Sequence, residues 1–216
     1  MRYRVLLFDF DGTLVDSMPT FVRVMLRILD EHGIAYDDDI VKTITPLGYG
    51  GTAKHFMKLG LDLPQEEIVK KMYQYARPDY EFHIQAKEHV VSSLQALKAQ
   101  GCDLNVLTAS PHAMLDPCLK RLGIFDLFTN VWSCDDFDTT KSDPRIYQRA
   151  AEQLHVPVSE VLFLDDNYHS DLYEKKACEK FCCVYDPSSE EFEEEIRAVS
   201  DHYIRDFSEL ITLGDG

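Results

Sequence analysis

Two patterns of apolar residues alternate along this chain. One is a short, mostly apolar run: residues 5–8 (Val-Leu-Leu-Phe), 161–164 and 181–185, apolar at every position, and 104–107, apolar but for Asn105. Runs this short, apolar on both faces, suit strands buried inside a parallel sheet. Residues 131–132 are a shorter strand candidate. The other pattern repeats every three or four residues. In 18–33 it places Phe21, Val24, Met25, Ile28 and Leu29 on one face, and it returns at 88–100, 112–122, 144–154 and 172–180. Gly33, Gly101 and Gly123 suit the ends of three of these helices, and Pro144 the start of another.

From residue 86 onward, strands alternate with helices of about ten residues, which predicts an α/β fold with a doubly wound parallel sheet of Rossmann-like type. Residues 16–85 show helical patterns and no strand. Helices are expected at 54–58 and 66–76. The stretch Thr-Pro-Leu-Gly-Tyr-Gly-Gly-Thr at 45–52 reads as a mobile loop, and Arg77-Pro78 with the following dozen residues as a return linker. The expected organisation is therefore a core of residues 1–15 and 86–216 with a small helical domain, 16–85, inserted after the first strand. Residues 190–200 read as an acidic, solvated helix or a partly disordered segment, and 210–213 as a last apolar stub.

Composition narrows the class of function. The 216 residues are 45% hydrophobic, enough for a sizeable core. Lys and Arg number 22 against 38 Asp and Glu, a formal charge of −16. That balance argues against nucleic acid and anionic membranes as partners and requires local positive charge for any anionic substrate. No apolar run approaches the roughly 18 residues of a membrane span. Met-Arg-Tyr-Arg leads directly into the first strand, so no signal peptide is expected. The six cysteines form no Cys-x-x-Cys pair, and they read as reduced, buried thiols of a cytoplasmic protein. Cys182 and Cys183 are adjacent, and in a strand they point to opposite faces.

The candidate chemistry lies where strands stop. After the first strand come Asp9 and Asp11, two residues apart and so on one side of an extended chain, then Gly12, which permits a tight turn or a close backbone approach. Two carboxylates at one point repel unless a cation or a shared proton offsets them, which implies a metal, an acid/base pair, or both. Other strands stop at Thr108 and at Asp165-Asp166, and Lys141 precedes the helix that Pro144 opens. Parallel strands share their carboxyl edge, so these groups should gather there, where open α/β sheets bind ligands. Such a set suits Mg²⁺, which takes oxygen ligands, beside a phosphate held by Lys141, the Thr108 hydroxyl and turn N–H groups.

On these residues the sequence resembles the haloacid dehalogenase-like superfamily. Asp9-Phe-Asp-Gly-Thr-Leu-Val-Asp16 matches its first motif, Thr108 its second, Lys141 its third, and Asp165-Asp166 with Asp171 its fourth. The insert at 16–85 looks like the cap of its first subclass, and the chain looks most like phosphoglycolate phosphatase and β-phosphoglucomutase relatives. In the third motif Ser142 stands where members often have Pro, and in the fourth Asp165 stands where many have Gly or Glu; neither change removes a required group. The resemblance implies Asp9 as nucleophile, Asp11 as acid and then base, Thr108 and the Ala109 N–H on the phosphoryl oxygens, and Lys141 as charge neutraliser. Mg²⁺ would lie on Asp9, the Asp11 carbonyl and Asp166, with Asp165 orienting Lys141 or reaching the metal through water. Gly12 and Tyr49 are expected to meet substrate, a small phosphorylated metabolite, in a monomer or homodimer.

The expected reaction is hydrolysis of a small phosphomonoester. A sugar phosphomutase is the alternative, and it would carry a histidine where this chain has Phe21 and a Lys/Arg-rich loop where it has Leu47-Gly-Tyr-Gly-Gly51. A signalling receiver domain shares the acids, Thr and Lys, but is about half this length. A non-catalytic relative would lack motif residues, and none is missing. Lys54 reads as helix surface, and His169 as solvent-facing.

Overall fold

The computed structural model describes residues 3–167 and 180–213. The chain divides into two compact units: residues through Asp16 together with those from Gln85 onward, and Ser17–Ile84.

The first unit is built on six strands: β1 (Val5–Phe8), β2 (Asp103–Thr108), β3 (Asn130–Ser133), β4 (Val161–Asp165), β5 (Phe181–Val184) and β6 (His202–Ile204). Every neighbouring pair is parallel, in the order β3-β2-β1-β4-β5-β6. This is the doubly wound architecture the alternation predicts. Helices α1 (Met18–Glu31), α2 (Ile40–Ile44), α3 (Gly48–Lys58) and α4 (Gln65–Phe82) belong to the second unit, and α5 (Val90–Ala99), α6 (His112–Arg121), α7 (Arg145–Gln153) and α8 (Glu193–Val199) to the first.

Strands β1 and β5 are apolar on both faces, and every residue of each is buried, because both faces are covered. Val5 and Leu7 join Leu107, Phe163 and Phe181 against Ile146 and Tyr147 of α7. Leu6 and Phe8, pointing the other way, are also fully buried. Cys183 belongs to the first of these clusters, and Cys182 faces away from it. Both are buried, as are Cys102, Cys118 and Cys134.

Strand β6 was not foreseen, because His-Tyr-Ile is too short and too polar to stand out from its surroundings; it pairs on one side only, at the sheet's edge. The acidic stretch after residue 190 is ordered as the end of a 3-10 turn followed by α8, anchored by Ile196 at 2% exposure. The terminal stub lies in a 3-10 turn, Phe207–Thr212, with Phe207 and Leu210 buried. The helix expected at 172–180 lies outside the described residues, apart from Lys180, as do His169, Asp171 and Cys178.

In the second unit two expectations fail. The glycine-rich stretch is not a mobile loop: Thr45–Leu47 forms a 3-10 turn and Gly48 begins α3. Gly48 has φ 59° and ψ −175°, a conformation essentially limited to glycine. A Cβ on Gly51 would lie 2.9 Å from the Leu47 Cβ, so glycine lets the turn fold back on the helix. Burial of Thr52, Ala53 and Phe56 then holds α3 in place. Nor do Arg77-Pro78 begin a linker, since α4 continues through Pro78 to Phe82. Ile68, Met72, Ala76 and Tyr80 are buried along one side of α4, and burial on either side of Pro78 outweighs the backbone hydrogen bond it cannot make. Helices α1 and α3 both pack on α4, and Arg23 of α1 pairs with Asp79 of α4. Lys54 is exposed on α3, as expected. Among the described residues no helix is long and apolar enough to cross a membrane.

Candidate active site

The strand order places β1 between β2 and β4, and the chain crosses from one side of β1 to the other between β3 and β4. That crossing opens a crevice at the carboxyl ends of β1 and β4, the place where such sheets bind ligands. Phe8 is in register with Leu164, and the Asp9 N–H donates to the Leu164 carbonyl at 2.8 Å. Asp9 and Asp165 therefore leave adjacent strands side by side.

Lys141 bridges them. Its Nζ lies 2.7 Å from Asp9 Oδ1 and 2.5 Å from Asp165 Oδ2. The Asn167 N–H fixes the other oxygen of Asp165 at 2.9 Å. Asp11, two residues beyond Asp9, accepts a hydrogen bond from the Ser110 hydroxyl at 2.5 Å, which steers its carboxylate toward the end of β2. Thr108 is 1% exposed, and its Oγ1 accepts from the Ser110 N–H at 3.1 Å. Ala109, between them, is exposed.

The turn after Asp11 is packed against Asp166. Gly12 has φ +72°, and a Cβ there would lie 2.2 Å from Asp166 Oδ2, so no side chain fits. The Thr13 hydroxyl donates to the other oxygen, Asp166 Oδ1, at 2.9 Å.

One carboxylate oxygen from each of Asp9, Asp165 and Asp166 lies within 4.8 Å of the other two. Burial pushes Asp9 up to about 7; Lys141 opposes that rise, and Asp165 and Asp11 add to it. Burial likewise raises Asp166 well above the ordinary carboxylate range, helped by Asp165, Asp186 and Asp9 and opposed by Lys87. Three buried carboxylates facing one another, with oxygen atoms alone as donors, match the chemistry of a small hard divalent cation. Asp9 and Asp166 are the residues that would hold it, and its charge would oppose the burial and the repulsion that raise both acids.

The expected residues of the first unit, Asp9, Asp11, Gly12, Thr108, Ala109, Lys141 and Asp166, are thus all at or just beyond this strand edge. Tyr49 lies in the other unit, on α3 rather than on a loop, with its ring edge-on to Phe21 at 5.5 Å and against Tyr73 at 4.7 Å. Sequence reasoning missed Thr13, Ser110, Lys87 and Asp186. The first two had a signal, since each follows a strand-end residue by two or four positions. Lys87 and Asp186 had none, because only the fold brings residues 99 positions apart together.

The chain is 28% identical over 173 residues to N-acetylmuramic acid 6-phosphate phosphatase of Pseudomonas aeruginosa, covering 77% of this chain and 75% of that protein. It is 29% identical over 179 residues to the pyrophosphatase PpaX of Bacillus velezensis, covering 82% and 80%. Its fold is similar to the crystal structure of CbbY from Rhodobacter sphaeroides in complex with phosphate, with a TM-score of 0.81 at 20% identity over 96% of each chain. The family model for haloacid dehalogenase-like hydrolases matches residues 3–173, and the chain belongs to that family.

Proposed function

We propose that this phosphatase uses Mg²⁺ to hydrolyse a small phosphomonoester through a phosphoaspartate on Asp9. The observation that carries the reading is the Lys141 ammonium bridging Asp9 and Asp165 at the strand crossing, with Asp11 held two residues on.

An ionised Asp9 needs no base to attack phosphorus. Lys141, 2.7 Å away, favours that ionised form and offsets charge on the incoming phosphoryl group. As the ester P–O bond breaks, the leaving oxygen takes a proton from Asp11, whose carboxyl is steered by Ser110. Water then attacks phosphorus and gives a proton to Asp11, and the bond from the Asp9 oxygen to phosphorus breaks, releasing Asp9 and phosphate. Thr108 and the Ala109 N–H are the proposed holders of the phosphoryl oxygens, with Gly12 giving the substrate close access to the turn. Bound at Asp9 and Asp166, with the Asp11 carbonyl as a further ligand, Mg²⁺ would supply charge neutralisation for carboxylates and phosphate alike. The Ser17–Ile84 unit is proposed as the cap that selects the substrate, Tyr49 included. A compact substrate, phosphoglycolate or a sugar phosphate, is the proposed class, and the cytoplasm the proposed compartment.

The test measures phosphate release from phosphoglycolate, sugar 6-phosphates and pyrophosphate, with Mg²⁺ and after exhaustive chelation. Release that requires the metal is expected from at least one small monoester. Full activity after chelation refutes the metal requirement. Conversion of hexose 1-phosphate to hexose 6-phosphate, with a trace of bisphosphate and little free phosphate, would overturn hydrolysis in favour of the mutase.

A further inference from the structure

Lys87 lies at the start of the segment that returns to the sheet unit, outside every motif of the site. Its backbone N–H donates to the Leu14 carbonyl at 3.0 Å. Its ammonium has three N–H donors and meets three acceptors: the Gly12 carbonyl at 2.6 Å, the Tyr185 carbonyl at 2.5 Å and Asp186 Oδ2 at 3.1 Å. The Asp186 side chain is 2% exposed and that of Lys87 18%, so these bonds are largely shielded from water. The other oxygen of Asp186 is occupied by Ser188, through its N–H at 2.9 Å and its hydroxyl at 2.6 Å. One side chain therefore ties the turn after Asp11 to the chain leaving β5.

We infer that Lys87 is a positioning residue for the cation site, fixing the Asp11-Gly12-Thr13 turn against Asp166. The inference rests on the proposed cation at Asp9 and Asp166. The turn has no slack. Gly12 already touches Asp166 so closely that a Cβ would lie 2.2 Å from its oxygen, and Thr13 grips the same carboxylate at 2.9 Å. Releasing the Gly12 carbonyl frees the turn to shift, and Asp166 and the Asp11 carbonyl shift with it. The hydrogen bonds behind metal ligands typically govern affinity by about 10- to 100-fold.

Positioning and simple charge make opposite predictions, which allows a clean test. Were Lys87 merely a nearby positive charge, its removal would tighten binding of a divalent cation. As a positioning residue, its removal weakens binding. Lys87→Met isolates that sign. The double variant Lys87→Met/Asp186→Asn removes one charge of each sign, leaves no unpaired buried carboxylate, and tests position at constant net charge. Mn²⁺ is titrated calorimetrically into metal-free wild type and both variants, with circular dichroism reporting the fold; where one variant does not fold, the other decides. Binding weakened about tenfold is expected. A lysine with a purely structural role would lower the melting temperature and leave the affinity of the folded protein unchanged. Weakening of threefold or more supports the assignment; a smaller change, or tighter binding, overturns it while leaving the cation site standing. Wild type that binds no Mn²⁺ overturns the cation reading, and this one with it.

Discussion

At the carboxyl edge of the sheet, Asp165 and Asp166 are 1% and 4% exposed and share their oxygens' space with Asp9. In the helical unit Val24, Met25, Ile28, Leu29, Phe56, Ile68 and Met72 are fully buried and apolar, and the buried polar residues described there, Ser17 and Thr52, carry no charge. The first region buries like charges that cost free energy to hold together. The second buries hydrocarbon that stabilises by leaving water. Such a contrast separates what a protein needs to react from what it needs to stay folded, and it predicts that substitutions in the two regions fail in different assays.

The largest effect is expected at Asp9. Asp9→Asn should lower turnover by roughly 10⁴-fold or more, the scale on which losing a nucleophile counts. Its melting temperature in the absence of metal should hold or rise, because one of the repelling charges is gone. A sharp fall in melting temperature, or activity near that of wild type, breaks the contrast at its strongest point.

Phe56→Ala is the mirror image. A fully buried phenyl ring lost from the helical unit should cost about 3–5 kcal/mol of that unit's stability. Thermal unfolding measures it, and calorimetric affinity for Mn²⁺ should be unchanged at temperatures where the protein is folded.

Asp11→Asn sharpens the reading within the reactive region. Loss of a general acid typically costs about 10²- to 10⁴-fold. That loss should fall on alkyl phosphates, while aryl phosphates, whose leaving groups need little protonation, suffer much less. Equal losses on both substrates count against Asp11 as the acid.

The smallest effect is a pH dependence. Asp9 is pushed up to about 7 in the metal-free fold, above its ordinary value, chiefly by burial. An acid whose folded pKa is raised is favoured by the fold in its protonated form. Its contribution is therefore fully present below about pH 4 and is lost as pH rises toward 7. The difference in melting temperature between Asp9→Asn and wild type, without metal, should grow across that window, and saturating Mg²⁺ should shrink it. A difference independent of pH would mean that Asp9 is already ionised without help.

Much of this was legible in the sequence, for local reasons. Strand-length runs apolar at every position announce a sheet covered on both faces, and the polar residues that end those runs fall together because parallel strands share an edge. Asp9, Thr108 and Asp165-Asp166 could be placed that way, and Lys141 only as a loop residue ahead of the helix that Pro144 opens. In the helical unit local signals misled. Three glycines in four positions around Tyr49 signalled a loop, yet Gly48 only opens a helix that buried Thr52, Ala53 and Phe56 hold in place. Pro78 signalled a helix end, yet Ala76 and Tyr80 are buried on either side of it and α4 runs on.

The sequence by itself therefore determined the first five strands, the fold class and the acids at the strand ends, since periodicity and strand polarity are properties of short stretches. Tertiary structure alone decided three things. Lys141 lies between Asp9 and Asp165 because β1 and β4 are neighbours, not because of any spacing along the chain. Gly12 is required by Asp166, 154 positions away, as well as by the turn it makes. Lys87 meets the carbonyls of Gly12 and Tyr185 because the return segment lies along the first turn. Each of these is a contact between residues that share no local pattern, and chain connectivity carries no information about such contacts until the sheet has closed on its neighbours.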